Sequence, residues 1–143
     1  MKPALTRPAD ERVSWVSSIP FISAHLVPFL AFWTGITLKA VVLAIVLYVV
    51  RMFFITAGFH RYFAHRSYRT NRVCQFVLAF GGTTAAQKGP LWWAGHHRDH
   101  HRFSDTDRDL HSPQKGFWWS HLGWILSSKN KGIDYDRQIK EAR

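Results

Sequence analysis

Four histidines stand within six residues of the chain, in the stretch G-H-H-R-D-H-H that begins at Gly95. Three of them, His97, His100 and His101, are spaced i, i+3 and i+4, which places them on one face of an α-helix. Neutral imidazole is the commonest protein ligand of metal ions, and packing gives no reason for three imidazoles to converge. The spacing therefore predicts a metal site on a helix.

A second histidine pair, His60 and His65, lies upstream at the end of a long apolar run. On a straight α-helix, residues five apart lie about 140° apart around the axis, too far to grip one ion from one face. The pattern leaves three interpretations open. The helix ends at the pair, each histidine serves a different metal, or the two are ordinary interfacial histidines.

Two apolar segments precede the histidines and must position them. Residues 13–38 contain no charged side chain apart from His25, and a second run, 39–59, has its apolar centre at 40–50. About 20 apolar residues span a bilayer. We therefore predict a two-helix transmembrane hairpin over residues 13–59. Arginines and lysines on both outer flanks place those flanks in the cytoplasm.

The remaining segments complete an all-α integral membrane fold. Residues 1–12 are predicted to be a cytoplasmic tail, residues 60–126 a cytoplasmic or interfacial helical region that carries the histidines, and residues 127–143 a polar tail. The apolar stretch 73–87 is short for a span, so a re-entrant or surface-lying segment fits it best. A third span that continues through Trp93 is the alternative.

Composition narrows the class of function. The 143 residues carry a net charge of +10, which suits a membrane surface or a nucleic acid, but nucleic-acid binding does not explain two membrane-length apolar runs. The single cysteine, Cys74, excludes an internal disulfide and a cysteine-based zinc site. No glutamate lies between Glu11 and Glu141, so the general base of a zinc hydrolase is missing.

Three stretches together resemble one family. I-T-A-G-F-H-R-Y-F-A-H-R-S-Y, W-A-G-H-H-R-D-H-H-R-F-S-D and G-F-W-W-S-H-L-G-W-I-L resemble the membrane-bound fatty acid desaturases, most closely the acyl-CoA delta-9 (stearoyl-CoA) type in its bacterial form. The resemblance implies an oxidoreductase that uses O2 and two iron ions to introduce a cis double bond into a long-chain acyl group. It also implies a four-span fold in a bacterial inner membrane, and this chain holds part of that fold. A related histidine-box membrane hydroxylase or oxygenase, or an inactive membrane fragment, is the alternative.

The resemblance also assigns residues and partners. It implies that the metal ligands are five histidines: His60, His65, His97, His100 and His101. Gln87 and Trp93 match positions that line the acyl channel in animal members. From their places in the sequence alone, three further side chains are candidates to hydrogen-bond to the ligands: His96, Asp99 and His111. For His111, a ligand or a plain surface histidine are the alternatives.

The implied partners are long-chain acyl-CoA or an acyl lipid, a ferredoxin-like or small cytochrome electron donor, and membrane lipid, with no nucleic acid. The family's third histidine box lies beyond its second, and no histidine follows His121. We therefore expect an amino-terminal fragment that is inactive alone.

Overall fold

A computed structural model describes residues 11–129, whose regular secondary structure is helical apart from one isolated antiparallel bridge between Val13 and Ser127. The two tails predicted at 1–12 and 127–143 lie almost wholly outside the described residues. The chain divides into two compact units, whose described parts are residues 11–33 with 103–129, and residues 34–102.

The helices follow in chain order. They are α1 (Trp15–Leu26), which continues through a 3₁₀ turn (Val27–Leu30) into α2 (Ala31–Thr34); α3 (Leu38–Phe53), which continues as a π-helix (Phe54–Ala64); α4 (Arg72–Thr83); α5 (Pro90–Phe103); a 3₁₀ turn (Pro113–Lys115); and a π-helical turn (Trp119–Gly123) that leads into α6 (Trp124–Leu126). The all-α prediction is confirmed for the described residues.

Two helical stretches are long and apolar enough to cross a membrane, Trp15–Thr34 with 20 residues and Leu38–Ala64 with 27. Only 6% of each apolar window is buried, and large side chains such as Trp33 (90% exposed) face outward. A folded protein rarely leaves so much apolar surface to water. The second stretch runs past the predicted end at Phe59, so His60 lies in its last turns and His65 follows directly as its C-cap. The hairpin arrangement of the two stretches stays a prediction.

In the unit of residues 34–102, α4 packs closely against the π-helix. The side chain of Asn71 caps α4 by accepting the backbone N–H of Cys74 at 2.9 Å. Gly81 and Gly82 lie directly beneath aromatic rings of the π-helix, where any Cβ atom would overlap them. The helix ends at Thr83, so a continuous third span through Trp93 does not form.

In the unit of residues 11–33 and 103–129, one carboxylate joins the two segments. Buried Glu11 accepts hydrogen bonds from Lys115 Nζ at 2.8 Å and Lys129 Nζ at 2.5 Å. Burial by itself raises the pKa of Glu11, but the two lysines outweigh it and hold the pKa below its usual value. Nearby, the indole of fully buried Trp119 donates to the carbonyl of Leu110 at 3.0 Å.

Candidate metal centre

The π-helical winding brings the first histidine pair together. The backbone N–H of His65 donates to the carbonyl of His60 at 3.0 Å, an i→i+5 bond that closes a wider turn than an α-helix makes. Residues five apart therefore lie one above the other, and the two imidazole centroids are 4.5 Å apart. The straight α-helix that would separate them by about 140° does not form here. Of the three interpretations of the sequence, the structure shows that the helix ends at the pair, because the π-helix ends at Ala64 and His65 is its C-cap.

The second cluster lies on α5, as its spacing predicts. His97 and His101 are one α-helical turn apart, and their ring centroids are separated by 4.6 Å. Proline starts this helix at Pro90, where its missing N–H costs nothing. The guanidinium of Arg98 donates to the carbonyl of Phe63 at 3.2 Å, which fixes α5 against the end of the π-helix.

The two clusters meet in space. His97 Nε2 lies 3.1 Å from His65 Nε2 and 3.1 Å from His101 Nε2, and the His60 ring centroid is 4.6 Å from that of His97. Each of these four histidines offers one ring nitrogen, and the four nitrogens lie within 4.8 Å of one another. His60 and His97 are half-buried, whereas His65 and His101 are exposed, so the group is open on one side.

This arrangement fits a metal ion in three respects. Two nitrogens that each bind a first-row ion at about 2.1 Å lie roughly 3.0–3.4 Å apart, which matches the observed 3.1 Å. Nδ1 of His60 is buried without a hydrogen-bond partner among the described residues, a costly state for a polar nitrogen. Burial, reinforced by the neighbouring imidazoles, lowers the pKa of His97 to about 3, so this ring is neutral at pH 7 and able to bind metal.

An aromatic support lies beside the four histidines. The indole ring of Trp93 stacks on His97 with centroids 4.7 Å apart, and its Nε1 donates to Gln87 Oε1 at 2.9 Å. The same ring lies 6.2 Å from His60. The two predicted channel residues thus contact each other, and one of them contacts the histidines. Sequence reasoning missed this support, although the i, i+4 spacing of Trp93 and His97 could have indicated it.

The other predicted residues lie outside the group of four. The His100 ring is 5.6 Å from His101 and 6.4 Å from His97 between centroids. His96 stacks on Trp92 at 3.9 Å, and its Nδ1 is 2.9 Å from the carbonyl oxygen of that residue.

Two further candidates complete that set. Asp99 is half-buried on α5, and His111, in the other unit, donates its backbone N–H to Asp109 at 3.2 Å. The roles proposed for all of these side chains stay predictions.

These features define a class: helical proteins with a histidine cluster, suited to a first-row metal, at the end of a membrane-length helix. Residues 36–140 match the family model described as fatty acid desaturase, and the chain belongs to this family. The resemblance found in the sequence is therefore confirmed.

Individual relatives agree with the family assignment. The chain is 39% identical over 132 residues to the sn-1 stearoyl-lipid 9-desaturase of Anabaena variabilis, covering 91% of this chain and 48% of that protein. It is 42% identical over 142 residues to the protein of the same name from Synechocystis, covering 98% and 43%. An acyl-CoA Delta-9 desaturase of Acheta domesticus is 39% identical over 138 residues, covering 89% and 38%.

The chain thus spans about half the length of the cyanobacterial relatives or less. No solved structure matches it significantly.

Proposed function

We propose that this chain serves the oxygen-dependent desaturation of a long-chain acyl group at a membrane surface, with His60, His65, His97 and His101 as iron ligands. The convergence of these four ring nitrogens within 4.8 Å, in a chain of the desaturase family, is the observation that carries the proposal. Two membrane-length helices support a membrane location.

The reaction needs a metal because no side chain can remove hydrogen from an unactivated methylene. Iron, when bound, would supply the oxidising power from O2 that this step requires. Imidazole suits the task as a ligand, since it binds iron while a thiolate would itself be oxidised. The only cysteine, Cys74, is exposed on α4 and is not part of the histidine group.

The protein itself would position the metal ligands and the substrate. Trp93 holds the plane of His97 by stacking, and Gln87 holds the indole of Trp93 by a hydrogen bond. Both side chains also match the predicted acyl channel, so the same contact would orient the substrate chain toward the metal group. We further propose His100 as a fifth ligand, toward a second iron. Its ring lies next to His101 but outside the group of four.

The substrate class follows from the relatives, whose names describe desaturases of stearoyl lipids and of acyl-CoA. We propose a saturated long-chain acyl lipid or acyl-CoA as the substrate and a small electron-transfer protein, ferredoxin-like or a cytochrome, as the donor. His65 and His101 are exposed, which leaves the histidine group accessible to such partners.

A chimera tests the proposal directly. The segment of the Synechocystis relative that aligns with this chain would be replaced by this chain, and the membrane fatty acids of a host without desaturase would be analysed by gas chromatography. We expect unsaturated fatty acids from the chimera, none after His97→Ala, and normal amounts after His121→Ala. An active His97→Ala chimera would contradict the proposed site. A hydroxylated product in place of an olefin would favour the related hydroxylases.

A further inference from the structure

The exposed face of α4 is apolar, whereas the exposed face of a helix in water is normally polar. Val73, Phe76, Val77 and Phe80, spaced i, i+3, i+4 and i+7, form one apolar stripe, and each is 47–72% exposed. Phe76 and Phe80 stack on each other at 6.0 Å without any covering residue from the described part of this unit. Water is an unfavourable neighbour for such a stripe.

The packing of α4 shows where the stripe lies. Leu78 contacts Gly58, and Gly81 contacts Phe54, so α4 runs antiparallel to the second membrane-length helix and back along it. That helix ends at Ala64, and Phe54 lies ten residues before its end. At this register Val77 and Phe80 are level with the end of the apolar run of the spanning helix, and Val73 and Phe76 are level with its last turns. With 12 residues, α4 is about 18 Å long and cannot cross a bilayer itself.

The carbonyl groups at the C-terminal end of α4 have hydrogen-bond partners within the chain. The hydroxyl of Thr83 donates to the carbonyl of Phe80, and that of Thr84 to the carbonyl of Gly81, both at 2.6 Å. Backbone amides of the following turn donate to the next carbonyls. A helix end in hydrocarbon needs such internal partners for its last carbonyls, whereas water would serve at a surface.

The near end of α4 is strongly basic. Arg66, Arg69 and Arg72 are exposed where the chain leaves the spanning helix and enters α4, and we name these three the arginine collar. No aspartate or glutamate occurs between Glu11 and Asp99. The collar therefore carries three positive charges on a stretch that supplies no carboxylate.

We propose that α4 dips into the bilayer beside the second membrane-length helix, and that the arginine collar binds the phosphate groups of anionic phospholipids. Basic residues next to a membrane attract anionic headgroups, and each contributes to their local enrichment. The apolar stripe and the collar then contact the acyl chains and the headgroups of the same lipids. The proposal requires a membrane location but depends neither on the metal nor on the reaction.

The single cysteine provides a natural probe, because Cys74 is exposed on the first turn of α4, beside the collar. The full chain would be labelled there with a fluorophore and reconstituted into phosphatidylcholine bilayers. One sample contains acyl-brominated phosphatidylglycerol, and the other an equal fraction of acyl-brominated phosphatidylcholine. We expect quenching in both, and about two-fold or greater quenching by the anionic lipid.

Two double variants of equal net charge test whether the arginine collar causes the preference for the anionic lipid. Replacing Arg66 and Arg69 by glutamine should abolish the preference for the anionic lipid. Replacing Arg12 and Lys39 by glutamine, which removes the same net charge elsewhere, should retain it. The absence of quenching by either lipid would refute the location of α4. Three results would refute anionic lipid as the ligand of the collar. They are equal quenching of the unmodified chain by the two lipids, an equal loss of preference in the two variants, and loss of the preference when free coenzyme A is added.

Discussion

Replacing His97 by alanine should weaken iron binding more than replacing any histidine outside the group of four. The Nε2 atom of His97 is 3.1 Å from the Nε2 atoms of both His65 and His101, so it is the nitrogen that joins the two histidine segments. Its loss removes one of four converging donors. It also removes the shortest nitrogen–nitrogen approach between the two segments, and leaves His65 and His101, whose ring centroids are 4.9 Å apart, as a remaining contact between them.

The magnitude follows from how metal sites respond to mutation. Changing a residue that only hydrogen-bonds to a ligand typically costs 10–100-fold in metal affinity. Loss of a ligand itself should cost at least about 100-fold, which corresponds to about 2.8 kcal/mol. Because the pKa of His97 is near 3, the ring is already neutral at pH 7, and none of this loss reflects a change in proton competition at that residue.

The assay is an anaerobic titration of the detergent-purified, metal-free chain with Fe²⁺ against a colorimetric chelator of known affinity. His121→Ala is the matched control, because that imidazole stacks on Phe117 and belongs to the other unit. Circular dichroism would verify that both variants remain helical. Equal iron affinities for His97→Ala and His121→Ala, with helicity intact, would refute the reasoning.

Three other predictions concern the packing around the site and one distant ion pair. Gly82→Ala should destabilise the chain by about 1–3 kcal/mol because its Cβ atom would overlap a ring of the π-helix, whereas Gly89→Ala, with open space around it, should cost little in a thermal unfolding assay. Trp93→Leu should weaken Fe²⁺ binding about ten-fold by releasing the ring of His97, and Trp92→Leu should not; equal losses would exclude an orienting role. Glu11 has a lowered pKa in the folded chain, so its contribution to stability is present above its unfolded pKa and is lost as the pH falls through its folded pKa. Unfolding midpoints between pH 7 and pH 3 should therefore fall less for Glu11→Gln than for the unmodified chain, and parallel curves would contradict this.

The helix that carries the second histidine cluster could be predicted from sequence because its signal is local. The i, i+3, i+4 spacing of His97, His100 and His101 predicts an α-helix, and α5 confirms the helix, although the ring of His100 lies outside the group of four. The two apolar runs were similarly evident, although the second continues to Ala64 rather than ending at Phe59. Composition determines that an apolar helix forms, but its last turns depend on what packs against them.

The geometry of the first histidine pair could not be predicted in the same way. A π-helix has no reliable sequence signature, so α-helical geometry left three interpretations of His60 and His65 open, and the sequence could not decide among them. The role of Gly81 was also missed. The sequence analysis used only the length of the apolar stretch 73–87, whereas in the structure Gly81 and Gly82 allow α4 to approach the rings of Phe54 and Phe59. Both effects arise from contacts between segments, which the local pattern does not contain.

The central claim is that four imidazoles from two segments hold one iron ion, and X-ray absorption of the iron-loaded chain tests it most directly. We predict nitrogen neighbours at about 2.1 Å with the outer-shell scattering of imidazole, for close to four rings per ion at one equivalent of iron. His97→Ala should lower that number by one ring. An iron environment made of oxygen neighbours without imidazole scattering, or one that His97→Ala leaves unchanged, would contradict the account.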